Sequence, residues 1–367
     1  NEGHKLAEFY SATTAIRSRF CGPLLLRVLQ PEVFGKLSTA SEPKRQELLR
    51  RLNQPVGATA ELVAMRVDLL ARLKDHPDLA RTNLDFVHLL RSWFNRGFLV
   101  LQQINWDTSA RILDKIVAYE AVHHINDLDD LRRRLYPPDR RCFAFFHPAM
   151  PDEPLIFVEV ALTDAIPGSI DAVLSDQRTP LEAEQAKAAV FYSISNCQRG
   201  LSGISFGNLL IKQVVSELSF TCPQIESYVT LSPIPGLNKW LAKQTEDEVY
   251  GIAAQSVLDG SASADDVRAM AARYFMFAKR DDGVPNDPVA RFHLGNGAKI
   301  HDIHAGADTS RNGAAQSSGA MVNYLYDLTQ TERNHESYAM DGTVTASRAV
   351  RALSTAALST KIKEPTP

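Results

Sequence analysis

The sequence predicts an α+β protein of two domains: an all-helical N-terminal domain over residues 1–95 and a second domain, 96–367, built on a mixed central sheet. Three observations lead there. At 367 residues the chain exceeds one ordinary hydrophobic core. Apolar residues in the first hundred recur only with a helical period. From Phe98 onward, short β-rich runs bounded by Pro, Asp and Gly alternate irregularly with helical stretches.

In the first domain, Thr59 is expected to cap a helix carrying Leu62, Met65, Leu69, Leu70 and Leu73 on one face. After Pro77 a second stripe runs through Phe86, Leu89, Leu90 and Trp93. The basic stretch from Lys44 to Arg51 reads as the solvated face of a short helix. Phe98–Ile104 then reads as a strand, followed by helices near Ser109–Val122 and Asp127–Leu135. Strands are expected at Cys142–Phe146, Leu155–Leu162 and Val190–Ile194, a helix at Asn208–Leu218 and a strand at Tyr228–Leu231. Asp164–Ala188 and the polar loop Lys279–Asp287 interrupt the order. The last segment, Ser310–Lys361, reads as helical. This is not the regular βαβ alternation of a doubly wound sheet.

Composition narrows the partners. Hydrophobic residues make up 44% and charged residues 23%, and the net charge is −3. That balance fits a globular protein and gives no reason to expect nucleic acid or an anionic membrane surface. Cys21, Cys142, Cys197 and Cys222 form no CxxC pair, and four scattered thiols fit a reducing cytoplasm. No apolar run reaches membrane-spanning length, and neither a leader pattern nor a C-terminal sorting signal is evident. The first residue is Asn, so a preceding segment is expected.

Four places could carry chemistry. The strongest runs from Ser193 to Asn208: an apolar strand passes Gly200, Gly203 and Gly207 into an amphipathic helix. Glycines let a backbone approach a ligand, and a helix start offers unpaired N–H groups, so a phosphate or pyrophosphate is the natural guest. The spacing is neither a Walker loop nor a dinucleotide fingerprint, and an ordinary strand-to-helix turn has the same look. Second, Ser232 ends a strand beside the stiff Pro233-Ile234-Pro235-Gly236 turn, where it either faces a ligand or bonds the turn backbone. Third, His293 precedes two glycines and could serve as a general acid or as a structural hydrogen-bonder. Fourth, His301, Asp302, His304 and Asp308 invite a metal reading, but no standard ligand spacing supports them. His123 and His124 read as structural or surface residues. Lys212 and Lys239 lack any mark of a Schiff-base former, and no Gly-x-Ser-x-Gly elbow is present.

Taken together, Arg96–Leu99, Arg140–Phe143, Ser193–Ser195, Gln198–Gly207, Leu231–Gly236, Phe292–Ala298 and Ala307–Tyr326 resemble the malonyl-CoA decarboxylase family over nearly the whole chain. The resemblance implies a helical self-association domain, giving a homodimer or homotetramer, and a catalytic domain with the GNAT-like acetyltransferase fold. It implies malonyl-CoA as substrate, with Ser193, Ser202, Gly203, Ile204, Ser205, Phe206, Gly207, Asn208, Ser232 and His293 binding it. Ser232 and His293 would be the catalytic pair, with Tyr326 and Ser193 in support. Where some members carry a glutamate, this chain has Ser205, which cannot orient a histidine as a carboxylate does. A water molecule or another group is therefore expected to hold His293.

Loss of CO2 from a malonyl thioester leaves an enolate that the thioester itself stabilises, so no organic cofactor or metal is expected. Two other classes compete. An acyl-CoA N-acyltransferase would release free CoA only with an amine acceptor, and a non-catalytic malonyl-CoA sensor would leave its ligand intact.

Overall fold

The computed structural model describes residues 43–204 and 207–358, together with Gly35, and the chain divides after Leu90 into two compact units, Asn1–Leu90 and Arg91–Pro367. Cys21, Ser205, Phe206 and the end of the expected C-terminal helical segment lie outside the described residues.

The first unit holds α1 (Lys44–Leu52), α2 (Ala58–Arg72) and most of α3 (Ala80–Trp93). The α3 stripe buries Phe86, Leu89 and Leu90 as its spacing predicts. Two details of α2 differ from expectation. The helix starts two residues earlier, after Gly57, and the Thr59 hydroxyl donates to Asn53 Oδ1 at 2.8 Å rather than capping. Met65 is half exposed, whereas Arg66 is buried and donates to Asn83 Oδ1 at 3.1 Å. A long aliphatic stem tipped with a guanidinium can lie inward when its head finds a partner. The basic α1 is a surface helix, with Gln46 and Leu49 turned inward and Arg45 Nε 2.7 Å from Asp85.

The second unit is organised by an eight-stranded mixed sheet. After β1 (Val100–Ile104) come α4 (Ala110–Tyr119), α5 (Leu128–Leu135), β2 (Arg140–Phe146) and β3 (Ile156–Thr163). Then follow the short α6 (Ile170–Leu174), β4 (Ala188–Asn196), α7 (Gly207–Thr221), β5 (Ser227–Thr230) and β6 (Ser232–Pro233). Helices α8 (Leu237–Gln244), α9 (Gly251–Leu258), α10 (Ala264–Phe277) and α11 (Pro288–Gly295) precede β7 (Lys299–His304). The described chain closes with α12 (Arg311–Ser317), β8 (Met321–Tyr326), α13 (Thr331–Asp341) and α14 (Arg348–Thr355).

The sheet order is β1-β2-β3-β4-β5-β8-β6, with β7 also on β8. Every pairing is antiparallel except β4 with β5, which α7 connects. An antiparallel meander followed by one parallel crossover is the acetyltransferase-type arrangement that was expected. The five strands and three helices expected from Phe98 to Leu231 all form, with shifted ends. The expectation fails at the end. Met321–Tyr326 is strand β8 rather than helix, because β5, β6 and β7 pair along its edges and bury it on both faces from Met321 to Tyr324.

One side of the meander is closed by α4 and α5. Ile116 and Leu131 are wholly buried there against Cys142, Ala144 and Phe157. Asp127 caps α5 by accepting from the Asp130 N–H at 2.8 Å, so the helix begins at Leu128. Replacing Ile116 with Ala should cost about 2–5 kcal/mol in urea unfolding, because a wholly buried side chain leaves a cavity. Val117→Ala, at a partly buried position on the same helix, should cost clearly less, and equal losses would contradict this packing.

Candidate active site

The site assembles where three elements converge on one face of the sheet. Ser232 opens β6 and pairs with Val322 of β8. Residues two apart on a strand share a face, so Tyr324 and Tyr326 lie on the same side as Val322. His293 comes from α11, whose start is set by Pro288 at the first turn and by Asp287, which accepts from the Ala290 N–H at 2.8 Å. Gly297 follows α11 at φ +82°, and a Cβ there would fall 2.0 Å from the Thr331 carbonyl oxygen. Glycine is therefore required for the chain to turn back beside α13.

Ser232 Oγ lies 3.3 Å from His293 Nε2 and 2.9 Å from Thr230 Oγ1. On the other side of the ring, His293 Nδ1 is 2.8 Å from the Tyr326 hydroxyl. The imidazole stacks on Tyr324, with centroids 4.5 Å apart and planes inclined by 24°. Ser232, His293 and Tyr326 are all buried. Burial lowers the His293 pKa to about 3, so the ring is neutral in the free protein. Burial likewise raises Tyr326 well above the usual phenol range.

Beside this group a cavity of about 230 Å³ opens between α7 and the end of β8, lined by Ile211, Lys212, Val215, Tyr326, Thr331 and Glu332 among others. The glycine-containing turn leads directly into α7. There the chain passes a 3₁₀ turn at Arg199–Leu201, exposed Ser202, and Gly203 at φ +77° before Ile204, and Gly207 and Asn208 open the helix. Only glycine takes that left-handed conformation at little cost.

Ser193 is placed differently. A bulge in the β3–β4 register turns both Tyr192 and Ser193 toward α4 and α5. The Ser193 hydroxyl donates to Glu120 at 2.8 Å, and Ser195 Oγ lies 3.2 Å from the same carboxylate. The N–H groups of Val122 and His123 also donate to Glu120. Nearby, burial lifts the wholly buried Glu159 to about 7, although Arg134 lies 3.2 Å away and opposes the shift. The hydrogen bonds of Ser193 thus run to Glu120 and not to Ser232, His293 or Tyr326.

The metal reading finds no geometry. His304 Nε2 bonds Asn323 Oδ1 at 2.5 Å, Asp302 pairs with Arg268 at 3.2 Å, and Asp308 accepts from the Ser310 N–H. Among the described residues, no group of three His, Cys, Asp or Glu side chains could hold a metal ion. No helix among them is long and apolar enough to cross a membrane.

The family model of the malonyl-CoA decarboxylase C-terminal domain matches residues 97–364, and that of the N-terminal domain matches 27–94. This chain belongs to the malonyl-CoA decarboxylase family. The malonyl-CoA decarboxylase structure from Rhodopseudomonas palustris superposes with a TM-score of 0.82 at 50% identity, covering 94% of this chain and 86% of that one. The Agrobacterium vitis decarboxylase structure gives a TM-score of 0.83 at 49% identity, covering 88% and 83%. The mitochondrial malonyl-CoA decarboxylase of the goose Anser anser anser is 36% identical over 336 residues, or 81% of this chain. The match spans 66% of that goose enzyme's length.

Within the malonyl-CoA decarboxylase family, then, this chain has a serine at 205 and a phenol, Tyr326, on the far nitrogen of the histidine. Sequence reasoning missed Thr230, Tyr324 and Glu120. Thr230 and Ser232 were legible as neighbours two apart at a strand end, whereas the helical reading of 310–361 hid Tyr324.

Because His293 is neutral in the folded protein down to about pH 3, the unfolded chain binds a proton there from about pH 6.5 that the folded chain does not. Stability should therefore fall as pH drops through that window, by up to about 1.4 kcal/mol per pH unit from this residue. Urea unfolding between pH 5 and 6.5 should show a shallower pH dependence in His293→Gln than in the wild type. An unchanged slope would mean that the imidazole charges in the folded state.

Proposed function

We propose that this chain removes CO2 from malonyl-CoA and releases acetyl-CoA, using Ser232 and His293 as the catalytic pair and Tyr326 to hold the imidazole. The observation that carries this reading is the buried hydrogen-bonded series from Ser232 through His293 to Tyr326 beside the α7 cavity, in a member of this family. The diphosphate of CoA lies over the 202–208 backbone, where Gly203 and the start of α7 offer N–H groups. Its acyl end enters the cavity lined by Tyr326.

The substrate carboxylate brings negative charge beside a ring that is neutral when the site is empty. An adjacent anion favours the imidazolium, which supplies the one proton that the net reaction consumes. Ser232 then turns its O–H to the carboxylate and holds the C–C bond perpendicular to the thioester plane. As that bond breaks, its electron pair enters the thioester enolate and CO2 departs. The enolate carbon takes the proton from His293 Nε2, giving the acetyl methyl group. Each donor aimed at the developing oxyanion is worth about 3 kcal/mol, so orientation plus a few donors supply much of the rate. The thioester is the electron sink, and this scheme uses no organic cofactor or metal.

Ser193 acts from the neighbouring Glu120 cluster and shapes β4 rather than touching the acyl group. The helical unit serves self-association into a dimer or tetramer, a role that fits exposed Leu48, Leu52, Val56 and Leu84 on it. Buried free thiols at Cys142, Cys197 and Cys222 suit a reducing cytoplasm.

Incubation in deuterium oxide followed by mass spectrometry should show acetyl-CoA with deuterium in its methyl group and no need for a second substrate. Ser232→Ala and His293→Asn should each lower kcat by about 10²-fold or more, the scale of general acid–base catalysis. Surviving malonyl-CoA would favour a binding role, and acceptor-dependent free CoA would favour acyl transfer.

A further inference from the structure

A second hydroxyl, that of Thr230, lies behind the serine. Thr230 is wholly buried, and its Oγ1 has two polar neighbours: the Tyr324 N–H at 3.2 Å and Ser232 Oγ at 2.9 Å. The Tyr324 N–H can only donate, so it occupies one lone pair of Thr230. A buried hydroxyl proton without an acceptor is costly, and the acceptor in reach of the Thr230 proton is Ser232 Oγ.

From these contacts we infer that Thr230 is the positioning residue of the site: it donates to Ser232 and so releases the Ser232 proton toward His293. The rest of the series then has one direction. Ser232 O–H donates to His293 Nε2 at 3.3 Å, Nδ1 carries the ring proton, and Nδ1–H donates to the Tyr326 oxygen at 2.8 Å. The Tyr326 O–H turns to the cavity that its side chain lines. Every buried proton finds an acceptor in this order. In the opposite order Ser232 would direct its proton inward to Thr230, where it reaches neither His293 nor a ligand, and the Thr230 proton would have no partner.

The backbone explains why position 230 can do this. Thr230 ends β5 and Ser232 starts β6, so the two side chains stand on one face two residues apart, and both strands pair with β8. Asn323 clamps the same spot by donating from Nδ2 to the Thr230 carbonyl at 2.8 Å. Thr230 therefore sits in a fixed frame, and its hydroxyl sets the rotamer of Ser232 without meeting substrate.

This inference rests on the proposed reading of Ser232, and its test separates the two. With histidine labelled by ¹⁵N and His293 assigned by its loss in His293→Gln, the ligand-free wild type should show Nδ1 protonated and Nε2 bare. The Nε2–H tautomer would overturn the proposal whatever the activity. Thr230→Val, nearly isosteric and without the hydroxyl, should lower kcat about 10-fold, the worth of one hydrogen bond, with KM changed less than about twofold. Thr230→Ser should retain wild-type kcat. A fully active Thr230→Val, or a Thr230→Ser as impaired as Thr230→Val, would also overturn it. Should Thr230→Val fail to fold, the wild-type tautomer and the Thr230→Ser rate still decide. A wild type that leaves malonyl-CoA intact would instead remove the decarboxylase reading, while the tautomer would still report on Thr230.

Discussion

The site depends on the alternation of side chains along β8. Val322, Tyr324 and Tyr326 point to one face, and each has a separate task there. Val322 sits opposite Ser232, Tyr324 gives its ring to the stacked imidazole, and Tyr326 takes the second ring nitrogen. A one-residue slip in this strand would turn all three away at once. The strand is pinned against that slip on both edges, since β5 and β6 pair along one side and β7 along the other.

The burial of His293 follows from that arrangement and sets its electrostatics. With Tyr324 stacked on it and Tyr326 bonded to Nδ1, the ring has neighbours but no buried carboxylate partner among the described residues. Desolvation therefore acts unopposed, and the imidazole stays neutral. A glutamate on Nδ1 would favour the charged ring in the empty site. A phenol orients it equally well and leaves the charge to be called up by an anionic ligand.

A second buried polar cluster lies across the sheet. Glu120 accepts from Ser193 and from two backbone N–H groups, and Arg134 bridges Glu159 and the carbonyls of His123 and His124. This cluster ties the segment after α4 to β4 at its bulge. It gives the strand that precedes the glycine-containing turn a fixed exit, so Ser193 contributes to the shape of the turn from the opposite face.

Much of this was readable in the residues alone. The α3 stripe, the helix near Asp127–Leu135 and the β-rich runs from Cys142 to Ile194 follow from periodicity and turn-forming residues, which are local properties. Gly203 and the prolines after Ser232 announced sharp turns for the same reason. Resemblance brought Ser232, His293 and Tyr326 onto one list, but their spacing of 61 and 33 residues carries no local signal of contact. The inward Arg66, the strand nature of Met321–Tyr326, the turn of Ser193 toward Glu120 and the placement of Thr230 behind Ser232 were decided by tertiary structure. Each depends on which distant segment supplies the partner: Asn83 for Arg66, β5, β6 and β7 for β8, and Glu120 just after α4 for Ser193. Local pattern states what a segment can form, whereas packing between segments far apart in sequence determines which face is buried and which polar groups meet.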